Sequence, residues 1–387
     1  MLETFSPQKI LQENGLRLTD SQIKAIHQKM PPADSEGQRY ADAVFEGGGV
    51  RGIAFLGALR CCDDIGIRWR KVAGTSAGAI TASLLASNFS MEQLEDAVGK
   101  LDYMRFLTKK NSPLILNGDP SDDLQFPLQL MMSLAATRQI GEYSSDPFRD
   151  WLAETLQRAN VKTFGDIEKR GEGRELKVVV SDITRAEMLV LPDDLNKINT
   201  SKEPTFVQQL KLKSSQDFSI PEAVRLSMSI PLFFTPGRLG KSMIVDGGIL
   251  SNFPLWIYDK QPGYNSPLPR WFTFGFRFID RNLEKNITIE EPFSLLSATF
   301  STMLNARDRY HGREMDKGRI INIDVSKANV TTTEFNLPAQ KKNCLYRMGY
   351  QAAKTFFLAP SFSWQQHLVS RGFGPLLQAH ANTPPPV

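Results

Sequence analysis

Ser76 sits in Gly74-Thr75-Ser76-Ala77-Gly78, a G-x-S-x-G pentapeptide. A serine hydroxyl is a poor nucleophile until its oxygen is exposed and its proton can be taken. A sharp strand-to-helix turn does the exposing. Gly74 and Gly78 keep Cβ atoms out of the crowded bend, and a helix N-terminus behind Ser76 favours developing negative charge. The pentapeptide alone can also be a simple glycine-flanked helix start, so its weight comes from context.

That context includes Gly47-Gly48-Gly49-Val50-Arg51-Gly52, directly after an apolar strand pattern and opening a helical one. Consecutive glycines let backbone N–H groups converge into an anion nest. Two uses compete. One is an oxyanion hole built from Gly47, Gly48, Gly49, Arg51 and Gly52. The other is a phosphate cradle, because Gly47, Gly49 and Gly52 also satisfy G-x-G-x-x-G. The dinucleotide reading wants an acidic residue about 20 positions on, at the end of the next strand. This chain has Arg70-Lys71-Val72-Ala73 there, followed by the serine turn. A basic pair suits a 2′-phosphate, so the fingerprint stays open, but a strand ending in a nucleophile motif favours the oxyanion hole.

Asp246-Gly247-Gly248 closes a short strand pattern over residues 243–245. An aspartate at a strand's C-terminal end faces the crevice where α/β sheets place their sites, and the glycines leave room for another segment to approach it. The same tripeptide also reads as a plain turn. Histidine decides between triad and dyad. The four histidines are His27, His311, His367 and His380. A Ser-Asp-His order requires one after the acid. His311 is the candidate by position, yet it reads better as a helix C-terminal residue favoured by the dipole. A direct Ser76–Asp246 dyad is therefore expected, with Asp246 taking the serine proton.

These residues need a frame. Strand patterns at 41–46, 67–73 and 176–183 alternate with helical patterns through Ile53–Ile65, stopped by Gly66, and over 79–86. Residues 187–191 are expected to pair beside the third strand. Further strands are expected at 243–246, 271–279 and 320–325, and helices at 147–157, 221–228, 292–310 and 341–357. Such alternation predicts an α/β fold, three-layered α/β/α, with a mainly parallel central sheet and Ser76 and Asp246 at one end of it. Residues 1–40 read as a separate polar leader with one helix over 21–30, capped at Thr19, Asp20 or Ser21 and stopped by Pro31-Pro32. Residues 41–358 form the main domain. Residues 359–387 form a C-terminal extension with a disordered Pro-rich tail.

The chain has 387 residues, 41% hydrophobic and 23% charged, as expected of a globular protein. Its net charge of +4, from 46 basic against 42 acidic side chains, gives no case for a nucleic-acid partner. Cys61, Cys62 and Cys344 show no zinc-ligand spacing, so no metal and no cofactor are expected. Free thiols suit a reducing compartment. No signal-peptide pattern and no run of about 18 apolar residues occurs, so a cytoplasmic location, peripheral on membranes, is expected. Export by a route that reads no cleavable signal would leave the same N-terminus.

The glycine loop, the elbow and the aspartate box, in this order, resemble the patatin-like phospholipases with a bacterial-type patatin domain. Residues 223–231, with small residues before Ile230-Pro231, and the run from Asp246 to Pro254 are also similar to that family. The resemblance covers residues 41–255 and is expected to extend to 358. It implies a serine lipid acyl hydrolase of the phospholipase A or lysophospholipase type, working through an acyl-serine intermediate without a metal. Carried over by position, Ser76 is the nucleophile and Asp246 the base. Amides near Gly48, Gly49 and Arg51 hold the oxyanion, while the Arg51 side chain braces the loop. An acyltransferase, a thioesterase and a non-catalytic membrane-docking protein on the same fold are the alternatives.

Residues 122–139 place Leu124, Leu128, Met131 and Ala135 on one helical face, beside Met132. That stripe fits an apolar lid or membrane contact as well as it fits a core-facing helix. Lys109-Lys110 and Lys341-Lys342 read as solvated pairs or headgroup contacts.

Overall fold

The structure, a computed structural model, describes residues 4–109, 141, 143–171, 173–198, 203–231, 233–259, 268–281, 316, 318–332 and 334–374. Two short helices, α1 (Pro7–Leu11) and α2 (Asp20–His27), precede strand β1 (Arg39–Phe45). Helix α3 (Ile53–Ile65) leads to β2 (Ile67–Thr75), and α4 (Ala77–Ala86) and α5 (Met91–Leu94) follow. A two-residue pairing joins β3 (Thr108–Lys109) to β4 (Tyr143–Ser144). Next come α6 (Asp146–Gln157), α7 (Phe164–Glu168), β5 (Glu175–Asp182), β6 (Glu187–Leu191), α8 (Phe206–Gln209) and α9 (Ile220–Ser227). The chain continues through β7 (Gly237–Leu239), β8 (Ser242–Asp246), β9 (Phe272–Ile279), β10 (Ile320–Asp324), α10 (Ala339–Leu358) and α11 (Trp364–Ser370).

The main sheet runs β10-β9-β1-β2-β5-β8-β7, with β6 also paired to β5. The five strands from β10 to β5 are mutually parallel, while β6, β7 and β8 are antiparallel additions. The fold is α/β with a mainly parallel sheet, as the alternating strand and helix patterns predict. Interior strands are apolar at almost every position because both faces are covered. Ala43, Phe45 and Val72 face the main core with α3, α4 and α10, while Val44 and Ala73 face a smaller cluster with Phe253 and Leu255. Helix α3 ends where Gly66 turns left-handed at φ 85°. The α3–α10 crossing is close, since a Cβ on Gly57 or on Gly349 would collide with the backbone of the other helix.

One organisational expectation needs correction. The leader is not a separate segment: Ile10, Leu16, Leu18, Ile26 and Met30 belong to the main core. Lys354 Nζ donates to the carbonyls of Gly15 (2.6 Å) and Leu16 (3.0 Å), which fastens it to α10. Its helix α2 is capped by Thr19 in a reciprocal capping box with Gln22. The C-terminal extension packs on the main domain as far as residue 374, with Phe362 stacked on Phe272 at 5.2 Å between ring centroids. Helix α1, strand β7 and the short helices α5, α7, α8 and α11 carry no periodic pattern long enough to read. The expected helix at 292–310, the apolar stripe at 122–139, Lys110 and the Pro-rich tail lie outside the described residues.

Candidate active site

Strand registers explain how two residues 170 positions apart meet. Strand β2 climbs one edge of β5 and ends with Thr75 opposite Val179. Strand β6 occupies the other edge of β5. Strand β8 therefore descends, antiparallel, along the edge that β2 has vacated, from Ile244 opposite Asp182 to Asp246 opposite Val180. The C-terminal ends of β2 and β8 face each other end to end. An antiparallel strand would ordinarily finish at the far end of the sheet. Asp246 reaches Ser76 because β8 stops where β2 stops.

Ser76 occupies the turn between β2 and α4 with φ 52° and ψ −124°, a conformation strained for any L side chain. The strain is held from three sides. Its N–H donates to Ser227 Oγ at 2.8 Å, and that hydroxyl donates onward to the Val179 carbonyl at 2.6 Å. Its carbonyl accepts from Ala79 N–H at 2.9 Å as α4 begins. Gly74 and Gly78 approach too closely for side chains, since a Cβ on either would strike neighbouring backbone.

Asp246 is 3% exposed and lies beside Ser76, close enough for the serine side chain to draw its pKa down. Its Oδ1 accepts from Gly248 N–H at 2.7 Å. Burial pushes its pKa up from 3.8 to about 6, against the opposing pull of the Ser76 side chain and the Gly248 N–H. The carboxylate is thus poised to hold a proton near neutrality. A Cβ on Gly247 would land on the Val179 carbonyl, so the glycine lets the strand end turn under the site.

The glycine loop lies beside the serine: a Cβ on Gly47 would sit 3.2 Å from Ser76 Cβ. Gly47 N–H donates to Asn252 O (3.0 Å), and Asn252 Nδ2 donates back to Gly47 O (3.1 Å). Val50 N–H donates to Thr332 O (3.2 Å) and Arg51 N–H to Gly48 O (3.2 Å). Among the described residues, the N–H groups of Gly48 and Gly49 have no such partner. Gly49 adopts φ +56° against the Thr332 carbonyl, a place only glycine fits. Arg51 is buried, with Nε on Val330 O (2.8 Å) and Nη2 on Asp280 (2.6 Å), so its side chain braces the loop from behind. Gly52 starts α3 against Ala77, its Cβ position 3.6 Å from Ala77 Cβ.

Of the histidines, His27 contacts Ile65 O at 2.8 Å and His367 stacks on Trp364 and Phe272. Ile65 precedes the start of β2 and Phe272 is the start of β9, so both lie at the end of the sheet opposite Ser76. His311 and His380 lie outside the described residues. Among the described residues, no three His, Cys, Asp or Glu side chains group to hold a metal ion, and no helix is long and apolar enough to cross a membrane. Sequence reasoning missed Ser227, Asn252 and Asp280. Ser227 lies within the 223–231 stretch already singled out, but nothing in a one-dimensional pattern says that its hydroxyl turns towards the elbow.

A family model described as patatin-like phospholipase matches residues 43–258. The chain is 33% identical over 322 residues to YqhO of Bacillus subtilis (strain 168), covering 82% of this chain and 98% of that one. It is 24% identical over 226 residues to the probable lipid hydrolase 463L of Invertebrate iridescent virus 6, covering 57% of this chain and 64% of that one. Among solved structures, VipD from Legionella pneumophila aligns at 18% identity with a TM-score of 0.45, over 85% of this chain and 69% of that one. The family match spans more than half of the chain and contains the loop, the elbow and the aspartate box. The chain belongs to the patatin-like phospholipase family.

Proposed function

We propose that the chain is a carboxylic ester hydrolase acting on membrane lipids, with Ser76 as nucleophile and Asp246 as general base. The observation that carries this reading is that the end of β8 brings Asp246, a buried carboxylate whose pKa is raised to about 6, up to the serine turn at the end of β2. A base near that value takes a proton at neutral pH and returns it to a leaving group.

In the first step the Ser76 proton passes to Asp246 as Oγ attacks the ester carbonyl. The oxyanion is assigned to the N–H groups of Gly48 and Gly49, helped by the N-terminus of α4. Within the loop, Gly47 and Arg51 spend their amides on Asn252 and Gly48, so their part is to shape it, with Gly52. Collapse expels the alcohol, which takes the proton from Asp246, and leaves an acyl-Ser76 ester. Water then gives a proton to Asp246 and attacks the acyl carbonyl. The fatty acid departs as Oγ recovers that proton.

The test is hydrolysis of phospholipid vesicles and of a soluble short-chain ester by wild type, Ser76→Ala and Asp246→Asn. Both variants are expected to lose at least about a thousandfold in turnover. Wild-type turnover by Ser76→Ala would refute the mechanism. Adding glycerol or lysolipid as acceptor and analysing the products separates hydrolysis from acyl transfer.

A further inference from the structure

An enzyme that draws lipid from a bilayer must present its catalytic end to that bilayer. Strand β5 runs parallel to β2, so Ile183, directly after β5, projects beyond the same end of the sheet that carries Ser76. Ile183 is 49% exposed and Ile198 is 70% exposed. Lys197 Nζ meets Glu187 at 2.6 Å, and Glu187 pairs with Asp182 at the top of β5, so Ile198 belongs to this corner too.

The corner is basic. Ile183 N–H bonds Met243 O at 3.1 Å, and Arg238 pairs with Met243 across the β7–β8 hairpin. At the hairpin tip Lys241 N–H bonds Gln209 Oε1 at 3.2 Å, which brings Lys211 and Lys213 alongside. All four cations are exposed, and among the described residues none pairs with a carboxylate. Glu187 is matched by Lys197 and Glu203 by Arg185 at 3.1 Å, while Asp182 is fully buried beneath them. A cavity of about 560 Å³ opens here with Arg185, Lys241, Glu187 and Glu203 in its wall, so the uncompensated charge lies on the surface around it and not inside it. Exposed isoleucines beside unpaired cations are complementary to an anionic lipid surface.

We infer that this corner, from the β5–β6 turn to the β7–β8 hairpin, docks the protein on anionic bilayers through Ile183, Ile198 and the exposed cations Lys211, Lys213, Arg238 and Lys241. This inference rests on the reading of Ser76 as acting on membrane lipid.

The experiment is co-sedimentation with phosphatidylcholine vesicles, with and without phosphatidylserine. Wild type should partition onto the phosphatidylserine vesicles and be released by salt. At about fivefold per lysine, Lys211→Ala/Lys213→Ala/Lys241→Ala should lose on the order of a hundredfold in partitioning. Ile183→Ser/Ile198→Ser should lose at least about tenfold. Both should hydrolyse a soluble short-chain ester at the wild-type rate. A soluble ester that even wild type leaves intact counts against the hydrolase reading and not against docking. Undiminished partitioning of both variants, or equal binding to neutral vesicles, overturns the inference. As a measurement independent of those variants, an environment-sensitive fluorophore on Ile198→Cys should shift to the blue on phosphatidylserine vesicles. The same label on Val369→Cys, at the opposite end, should not. An unshifted label at position 198 overturns the inference as well.

Discussion

Replacing Asp246 by Asn should abolish turnover and at the same time stabilise the fold at neutral pH. The carboxyl titrates at about 6 in the folded chain against 3.8 for an ordinary aspartate. The folded state therefore binds this proton more tightly than the unfolded state. Stability contributed by the protonated form is complete below pH 3.8 and is lost as pH rises through about 6. Above both values the ionised carboxylate costs the fold ~3 kcal/mol, at 1.36 kcal/mol per pH unit. Asn keeps the shape. Its Oδ1 still accepts from Gly248 N–H, and its amide turns an N–H towards Ser76 Oγ. Urea unfolding of wild type and Asp246→Asn between about pH 4 and pH 8 measures the difference. The variant should be more stable by up to ~3 kcal/mol at the alkaline end, and the two should converge near pH 4. Asp42, also raised to about 6 by burial, titrates in both proteins and cancels. A variant no more stable at any pH would refute the claim that the site holds its base at the expense of the fold.

Hydrolysis should rise with pH through about 6, where Asp246 ionises and can accept the serine proton. A flat kcat/KM profile across that range would remove Asp246 as base. Ser227→Ala leaves the Ser76 N–H and the Val179 carbonyl unpaired in a buried place, at a cost of ~1–3 kcal/mol in stability. Its kcat should fall about tenfold or more with KM unchanged, because the nucleophile is displaced and binding is not. Gly49→Ala forces a side chain onto φ +56° and into the Thr332 carbonyl, so activity should vanish together with a clear drop in Tm. Arg51→Lys gives up the fork that spans Val330 O and Asp280, and turnover should fall while Ser227 and Asp246 remain in place.

The positions of the elbow and of the parallel strands were more legible in the sequence than the strand pairing that brings the motifs together. Ser76 and its glycines are readable because a strained elbow tolerates few residues beside it, so the backbone requirement is written in residue types. The parallel strands are readable because burial on both faces makes them continuously apolar. The meeting of Asp246 with Ser76 is not readable in the same way. It depends on β8 running antiparallel and stopping opposite Val180, a register set by strand pairing between distant segments. Ser227 and Asp280 are silent for the same reason, since each acts through a hydrogen bond made only after the chain has folded. The leader misled because its residues are mostly polar, whereas Ile10, Leu16, Leu18 and Ile26 are enough to bind it to the core.

The central claim is that Ser76 is a nucleophile activated by Asp246 directly. Labelling with a fluorophosphonate, followed by peptide mapping, tests it in one measurement. The account predicts modification of Ser76 in the wild type, none in Ser76→Ala, and a labelling rate that climbs with pH through about 6 and collapses in Asp246→Asn. Labelling at another serine, or an undiminished rate at Ser76 in Asp246→Asn, would contradict it.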